Sequence, residues 1–212
     1  MERCVGYMLC ASERVRPIDY QFPPQLYHWF VRPRWLTKKY IHDTITSLFA
    51  MDRQAVLDFG CGTGAKCAMA SPDYYVGFDP DERRTQFAGK LNPGYAFHPL
   101  TSYELPLDDR SIDYVWIIAV LHHIPTELIS AYMNEFHRIL KPGGRIIVIE
   151  PYLSEHTPVC NRFMKWFDRG RYIRAEPEYL RLFTDHRFAC EIHKKFRKLY
   201  LYNELFFSAR LP

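Results

Sequence analysis

The 212-residue chain contains no apolar run as long as the ~18 residues that a membrane-spanning helix needs. Its opening, MERCVGYMLCASERV, has only a short apolar patch from Cys4 to Ala11 with Glu2 ahead of it, which is a poor secretory signal. These two absences make the cytoplasm the expected location. None of the six cysteines forms a C-x-x-C pair. Cys4/Cys10 and Cys61/Cys67 share a spacing, but no clustered histidines complete a metal site. Reduced, mostly buried thiols and no metal are expected. Internal repeats, low-complexity tracts and linkers are also missing, which leaves one domain over 1–212.

What is present suits a folded α/β domain. Hydrophobic residues make up 48% and charged residues 25%, outside the range of disordered chains. The net charge of +4 is unevenly spread: +3 over residues 1–50, −4 over 51–150 and +5 over 151–212. An acidic middle is flanked by basic, aromatic-rich ends.

The pattern along the chain alternates. Residues 17–51 read as two helical pieces, PPQLYHWFVRPRW and LTKKYIHDTITSLFA, the second with Leu36, Tyr40, Ile41, Ile45, Leu48 and Phe49 on one face. Residues 52–151 then alternate strand and helix. AVLDF, YYVGFD, YAFHPL, IDYVWIIAV and RIIVIEP are strands, while GAKCAMAS, DERRTQFAGKL and TELISAYMNEFHRILK are helical, the last stopped by KPGG. Residues 152–187 form a helical insert, and 188–212 a hairpin, FACEIHKKFRK and NELFFSARL, turning at Tyr202–Asn203. Such alternation predicts a doubly wound, Rossmann-like sheet of seven mostly parallel strands. Helices cover both faces and the final hairpin supplies one antiparallel strand.

In such sheets, ligands sit beyond the carboxyl ends of the strands, beside the first strand. There the chain reads VLDFGCGTG, an apolar strand running into Asp58 and then Gly60, Gly62 and Gly64. Gly60, Gly62 and Ala65 loosely satisfy a dinucleotide fingerprint, but Asp58 would point a negative charge toward a pyrophosphate. A cationic ligand reverses the sign. S-adenosylmethionine carries a sulfonium and an ammonium group, and Asp79 closes the second strand where a carboxylate can accept from both ribose hydroxyls. Asp58 with Asp79 therefore favours the sulfonium cofactor.

VLDFGCGTG, VGFDPDE, ELPLDDRSIDYVWIIAVLHHI and RILKPGGRIIVIEP stand in the order and spacing of a class I S-adenosylmethionine-dependent methyltransferase. Residues 36–151 resemble most the small-molecule and lipid-type branch with an L-x-H motif after the fourth strand. The resemblance implies that the turn Gly60, Cys61, Gly62, Gly64 packs on the methionine part of the cofactor, with Asp58 orienting its ammonium group through water. It places Asp79 on the ribose, Pro80 beside the adenine, and Ala119 and Val120 along the sulfonium side. Thr101 stands where the family usually has an acid for the adenine amino group, leaving that contact to Thr101 or to the backbone near Ser102. The product would be S-adenosylhomocysteine.

The expected activity is methyl transfer to an O or N atom of a small-molecule acceptor. His123, in LHHIP, is the first candidate for a general base and His122 the second; the alternative is a histidine that fixes the loop. Tyr20, Tyr27, Trp29 and Arg32 from one side, and Trp166 and Arg174 from the other, would form a lid over an apolar or planar acceptor with an anionic group. Two other readings stay open. One is a nucleic-acid or protein methyltransferase, against which stand the modest charge and the lack of an Asn/Asp-Pro-Pro-Tyr motif. The other is a non-catalytic cofactor-binding module.

Overall fold

The computed structural model describes residues 38–167 and 171–212. A π-helical turn, Lys38–His42, leads into the short helix α1, Asp43–Thr46. Strand β1 (Val56–Phe59) is followed by β2 (Tyr75–Asp79), helix α2 (Glu82–Leu91) and β3 (Ala96–Pro99). Then come β4 (Ile112–Ile118), α3 (Thr126–Ile139) and β5 (Leu140–Leu153). The last third holds α4 (Pro158–Phe167), β6 (Arg174–Ala175), α5 (Glu176–Thr184), β7 (Ala189–Lys198) and β8 (Tyr202–Arg210).

Seven strands form a continuous sheet in the order β3-β2-β1-β4-β5-β8-β7, and the two-residue β6 pairs with β5 as an eighth. The pairs β1/β2, β1/β4, β2/β3 and β4/β5 are parallel, whereas β8 runs antiparallel to both of its neighbours. This is the expected doubly wound α/β sheet with an antiparallel strand from the final hairpin.

The period of two along each strand divides the core into two layers. Leu57, Phe59, Val115, Ile117, Ile146, Val148, Leu205 and Phe207 face one layer, closed by α3 and α5 through Ile129, Met133, Phe136, Tyr179 and Phe183. Val56, Trp116, Ile118, Ile147, Ile149 and Phe206 face the other, closed by Ile41, Ile45 and Phe49. Of the face expected on residues 36–49, Leu48 alone of the described residues departs, being exposed. Leu36 lies outside the described residues.

Two local expectations are corrected. GAKCAMAS forms only a 3-10 turn, Cys67–Met69, because Gly64 enters it at φ +73° and Ala70 is already extended. Too few residues remain there to recover the cost of nucleating an α-helix. The hairpin turns at Leu199–Leu201, with Leu199 and Tyr200 at positive φ, rather than at Tyr202–Asn203. Asn203 is instead buried in β8 and donates through Nδ2 to Thr157 Oγ1 at 2.7 Å.

Candidate active site

The carboxyl ends of β1, β2 and β4 converge on the glycine turn. Gly60, Gly62 and Gly64 all have positive φ, +73°, +57° and +73°, a region that costs other residues a steric penalty. The Gly60 and Cys61 amides donate to Phe78 O at 2.8 and 3.0 Å, which ties the turn to the end of β2. A Cβ on Gly60 would lie 2.5 Å from Val120 Cγ2, and one on Gly64 would lie 2.8 Å from Phe97 Cζ. A Cβ on Gly62 would meet nothing within 4 Å. The outer two glycines let the turn pack against the sheet, and the middle one faces open space.

Asp79 stands beside that space. Its Oδ2 accepts from the Gly62 amide and its Oδ1 from the Asp81 amide, both at 2.9 Å. Burial raises its pKa above the ordinary carboxylate value, against the lowering effect of these amides and of Arg84. The Leu100 amide donates to Asp79 O at 2.9 Å, which brings Thr101 and Ser102 alongside the Asp79–Pro80 corner. Both are exposed, and Ser102 Oγ donates to Glu104 O at 2.6 Å.

Asp58 is turned away from solvent. It and Lys66 are both 0% exposed, and Lys66 Nζ lies 2.9 Å from Asp58 Oδ1. The Tyr75 hydroxyl donates to Asp58 Oδ2 at 2.9 Å. Gly77 makes room for this, since a Cβ there would lie 2.9 Å from the Tyr75 oxygen and 2.8 Å from Cys61 Cβ. Burial, with Asp58 close by, pushes the Tyr75 hydroxyl pKa up; burial followed by Asp79 does the same for the Cys61 thiol. Neither group ionises near neutral pH.

The segment after β4 is held from two sides. Ala119 takes φ +55° and donates to Ile149 O, after which the backbone bends over the end of β5. There the buried Glu150 carboxylate accepts from the amides of Val120 (2.6 Å), Leu121 (2.8 Å) and His122 (3.3 Å). His122 Nδ1 sits 2.6 Å from Glu150 Oε2, and His122 is itself buried. The His123 ring packs on it with centroids 4.0 Å apart and is only half-buried. From the other side the Tyr172 amide donates to His122 O at 3.0 Å.

Arg174, expected on the acceptor side, turns its guanidinium onto this same loop. One terminal nitrogen donates to Leu121 O and Tyr172 O, and the other to Ile124 O and Thr126 Oγ1, at 2.8 to 3.1 Å. Trp166 is 82% exposed near the end of α4. Tyr20, Tyr27, Trp29 and Arg32 lie outside the described residues. Three residues stood outside the expected set altogether: Glu150, Lys66 and Tyr75. The first two were visible as lone charges inside apolar runs, IIVIEP and GAKCAMA.

Among the described residues no group of three or more His, Cys, Asp or Glu could hold a metal, and no helix is long and apolar enough to cross a membrane.

Residues 57–148 match the family model described as a methyltransferase domain. The chain is similar to the demethylmenaquinone methyltransferase of Chlorobaculum tepidum, at 30% identity over 115 residues, 53% of this chain and 47% of that protein. It spans about half the length of the first curated relatives it matches. Its fold is similar to that of a protein from Pyrococcus horikoshii OT3, with a TM-score of 0.69 at 16% identity over 89% of this chain and 99% of that one. It is also similar to geranyl diphosphate C-methyltransferase from Streptomyces coelicolor A3(2), solved with Mg2+, geranyl diphosphate and S-adenosylhomocysteine. That comparison gives a TM-score of 0.61 at 15% identity over 79% and 75% of the two chains.

Proposed function

We propose that this protein is an S-adenosylmethionine-dependent methyltransferase that transfers a methyl group to an O or N atom of a small-molecule acceptor. One observation carries the reading. The middle glycine of a turn with three positive-φ glycines faces open space, and its amide is held by the buried Asp79. A nucleoside cofactor fits such a cradle. A backbone without a Cβ borders its chain, and Asp79, with each oxygen accepting one amide, keeps lone pairs for ribose hydroxyls. The methyltransferase-domain match over residues 57–148 supports the same choice.

When bound, the cofactor supplies a methyl group on a sulfonium, already a good electrophile. The chain's task is then to orient and to exclude water. Rigid alignment is the larger contribution, with effective molarities that reach roughly 10^5 M or more in well-oriented cases. Glu150, Tyr172 and Arg174 fix the loop that carries His123, and Val120 on that loop packs against Gly60 of the turn. His123 takes the acceptor's proton where the acceptor is a hydroxyl or a protonated amine. His122, bonded to Glu150 and buried, positions the loop. Thr101, Ser102 and Pro80 line the adenine side, Ala119 and Val120 the sulfonium side, and Trp166 the acceptor side.

Calorimetric titration with S-adenosylhomocysteine tests the cofactor, and release of S-adenosylhomocysteine from S-adenosylmethionine with a panel of phenols, quinols and amines tests the acceptor. Binding with turnover on such a small molecule is expected. Heat with NADH and none with S-adenosylhomocysteine overturns the cofactor. Turnover confined to RNA, DNA or protein overturns the acceptor class.

A further inference from the structure

The Asp58 carboxylate already has a cation. Lys66 is fully buried, its Nζ 2.9 Å from Asp58 Oδ1 and 3.4 Å from Gly60 O. A carboxylate and a turn carbonyl are also the acceptors that would suit the ammonium group of a bound amino-acid moiety. The other carboxylate oxygen is taken by the Tyr75 hydroxyl. We propose that Lys66 is a built-in rival of the cofactor's ammonium group for Asp58, and so sets how tightly ammonium-bearing ligands bind. This rests on the cofactor reading above.

Charge decides the competition. The Asp58–Lys66 pair is neutral, so a second cation beside it gains little attraction while paying the desolvation of a buried charge. Asp58 can serve a cationic ligand only when Lys66 withdraws. Exchange of one ammonium for another keeps the buried charge constant. Lysine suits the part, with three rotatable donors on a flexible four-carbon stem. Its place in the chain also suits it. Gly64 to Ala70 pairs with no strand, and the bonds within it are 3-10 ones, Cys67 to Gly64 O, Met69 to Lys66 O and Ala70 to Cys67 O, with Ala70 O tied to the Tyr95 hydroxyl at the far end from Lys66. A ligand without the ammonium group has no need of the exchange and is indifferent to Lys66.

The test compares S-adenosylhomocysteine with 5′-deoxy-5′-methylthioadenosine, which lacks the amino-acid end, by calorimetry on the full chain. In Lys66→Met, S-adenosylhomocysteine is expected to bind at least tenfold tighter, with methylthioadenosine changed by less than twofold. Parallel changes in both ligands, or weaker S-adenosylhomocysteine binding alone, overturn the proposal and leave Lys66 a fixed counter-ion. The unmutated protein gives a second reading should Lys66→Met fail to fold. Its buried Lys66 ammonium should give a slowly exchanging 15N signal that S-adenosylhomocysteine abolishes and methylthioadenosine leaves in place. Persistence of that signal with S-adenosylhomocysteine bound overturns the proposal. Failure of the unmutated protein to bind either ligand is a different result, which removes the cofactor reading itself and the proposal with it.

Discussion

His122 Nδ1 lies 2.6 Å from Glu150 Oε2, with both side chains buried and three successive loop amides bonded to the same carboxylate. One acid thus takes four donors and ties the end of β5 to the loop after β4. Glu150→Gln replaces one acceptor oxygen with an NH2 group that faces amide donors. The expected loss is about 2–4 kcal/mol of unfolding free energy, the range for breaking a buried charged hydrogen-bond network. Urea denaturation of the two proteins checks it. A loss below about 0.5 kcal/mol would show that the carboxylate is not holding the loop.

The three glycines of the turn are expected to fail differently. Gly62→Ala meets no protein atom, so its cost in stability is the left-handed backbone alone, about 1 kcal/mol. Yet its methyl group would stand in the ligand's space, and S-adenosylhomocysteine affinity should fall more than tenfold. Gly60→Ala drives a methyl into Val120 and should lose considerably more stability. Thermal melts with and without the ligand separate the two effects. Equal melting temperatures for the two variants, with ligand binding intact in Gly62→Ala, would contradict the assignment of the open side.

The parts of the fold that follow from periodicity were legible in the chain. Ile147 and Ile149 face one layer and Ile146 and Val148 the other, as strict alternation in RIIVIEP requires. The glycine turn was legible because positive φ has few other solutions. The residues that the pattern did not assign take their roles from the side chains and strands that the fold packs around them. Lys66 is buried only because Asp58 lies below it, and Gly77 is required only because Tyr75 and Cys61 fill its side. Arg174 looked like an anion binder until the carbonyls of Leu121, Tyr172 and Ile124 surrounded it. Leu199 and Tyr200 turn the hairpin without any local turn former, held by β7 and β8 on either side.

Asp79 gives the site a pH dependence with two opposite signs. Its folded pKa is raised by burial, so the folded protein takes up a proton at a pH where the unfolded chain has not. Its own contribution therefore favours folding as pH falls through the raised value and disfavours it above. Binding runs the other way, because ribose hydroxyls donate best to the ionised carboxylate. S-adenosylhomocysteine affinity should decline as pH drops through a midpoint above the usual aspartate value. In Asp79→Asn the affinity should be weaker by about tenfold and flat over the same interval, the loss being that of one charge-assisted hydrogen bond. Calorimetry across pH 4 to 8 tests both curves, and a parallel pH profile in the variant would assign the titration to another group.

Arg174 offers the clearest separation of a loop-holding role from an acceptor-binding one. Its guanidinium is buried and bonded to three carbonyls and the Thr126 hydroxyl, all on the histidine loop or beside it. Lysine has the charge but not the planar fork, so Arg174→Lys cannot reach both Leu121 O and Ile124 O together. The expected outcome is a loss of about 2 kcal/mol in stability, faster amide exchange at Leu121 and His122, and turnover lowered at every acceptor charge alike. A residue binding an anionic acceptor would give another pattern, with KM raised for acidic acceptors only and stability unchanged. Should that second pattern appear, Arg174 must leave the loop during catalysis, and the loop's rigidity would rest on Glu150 and the Tyr172 amide.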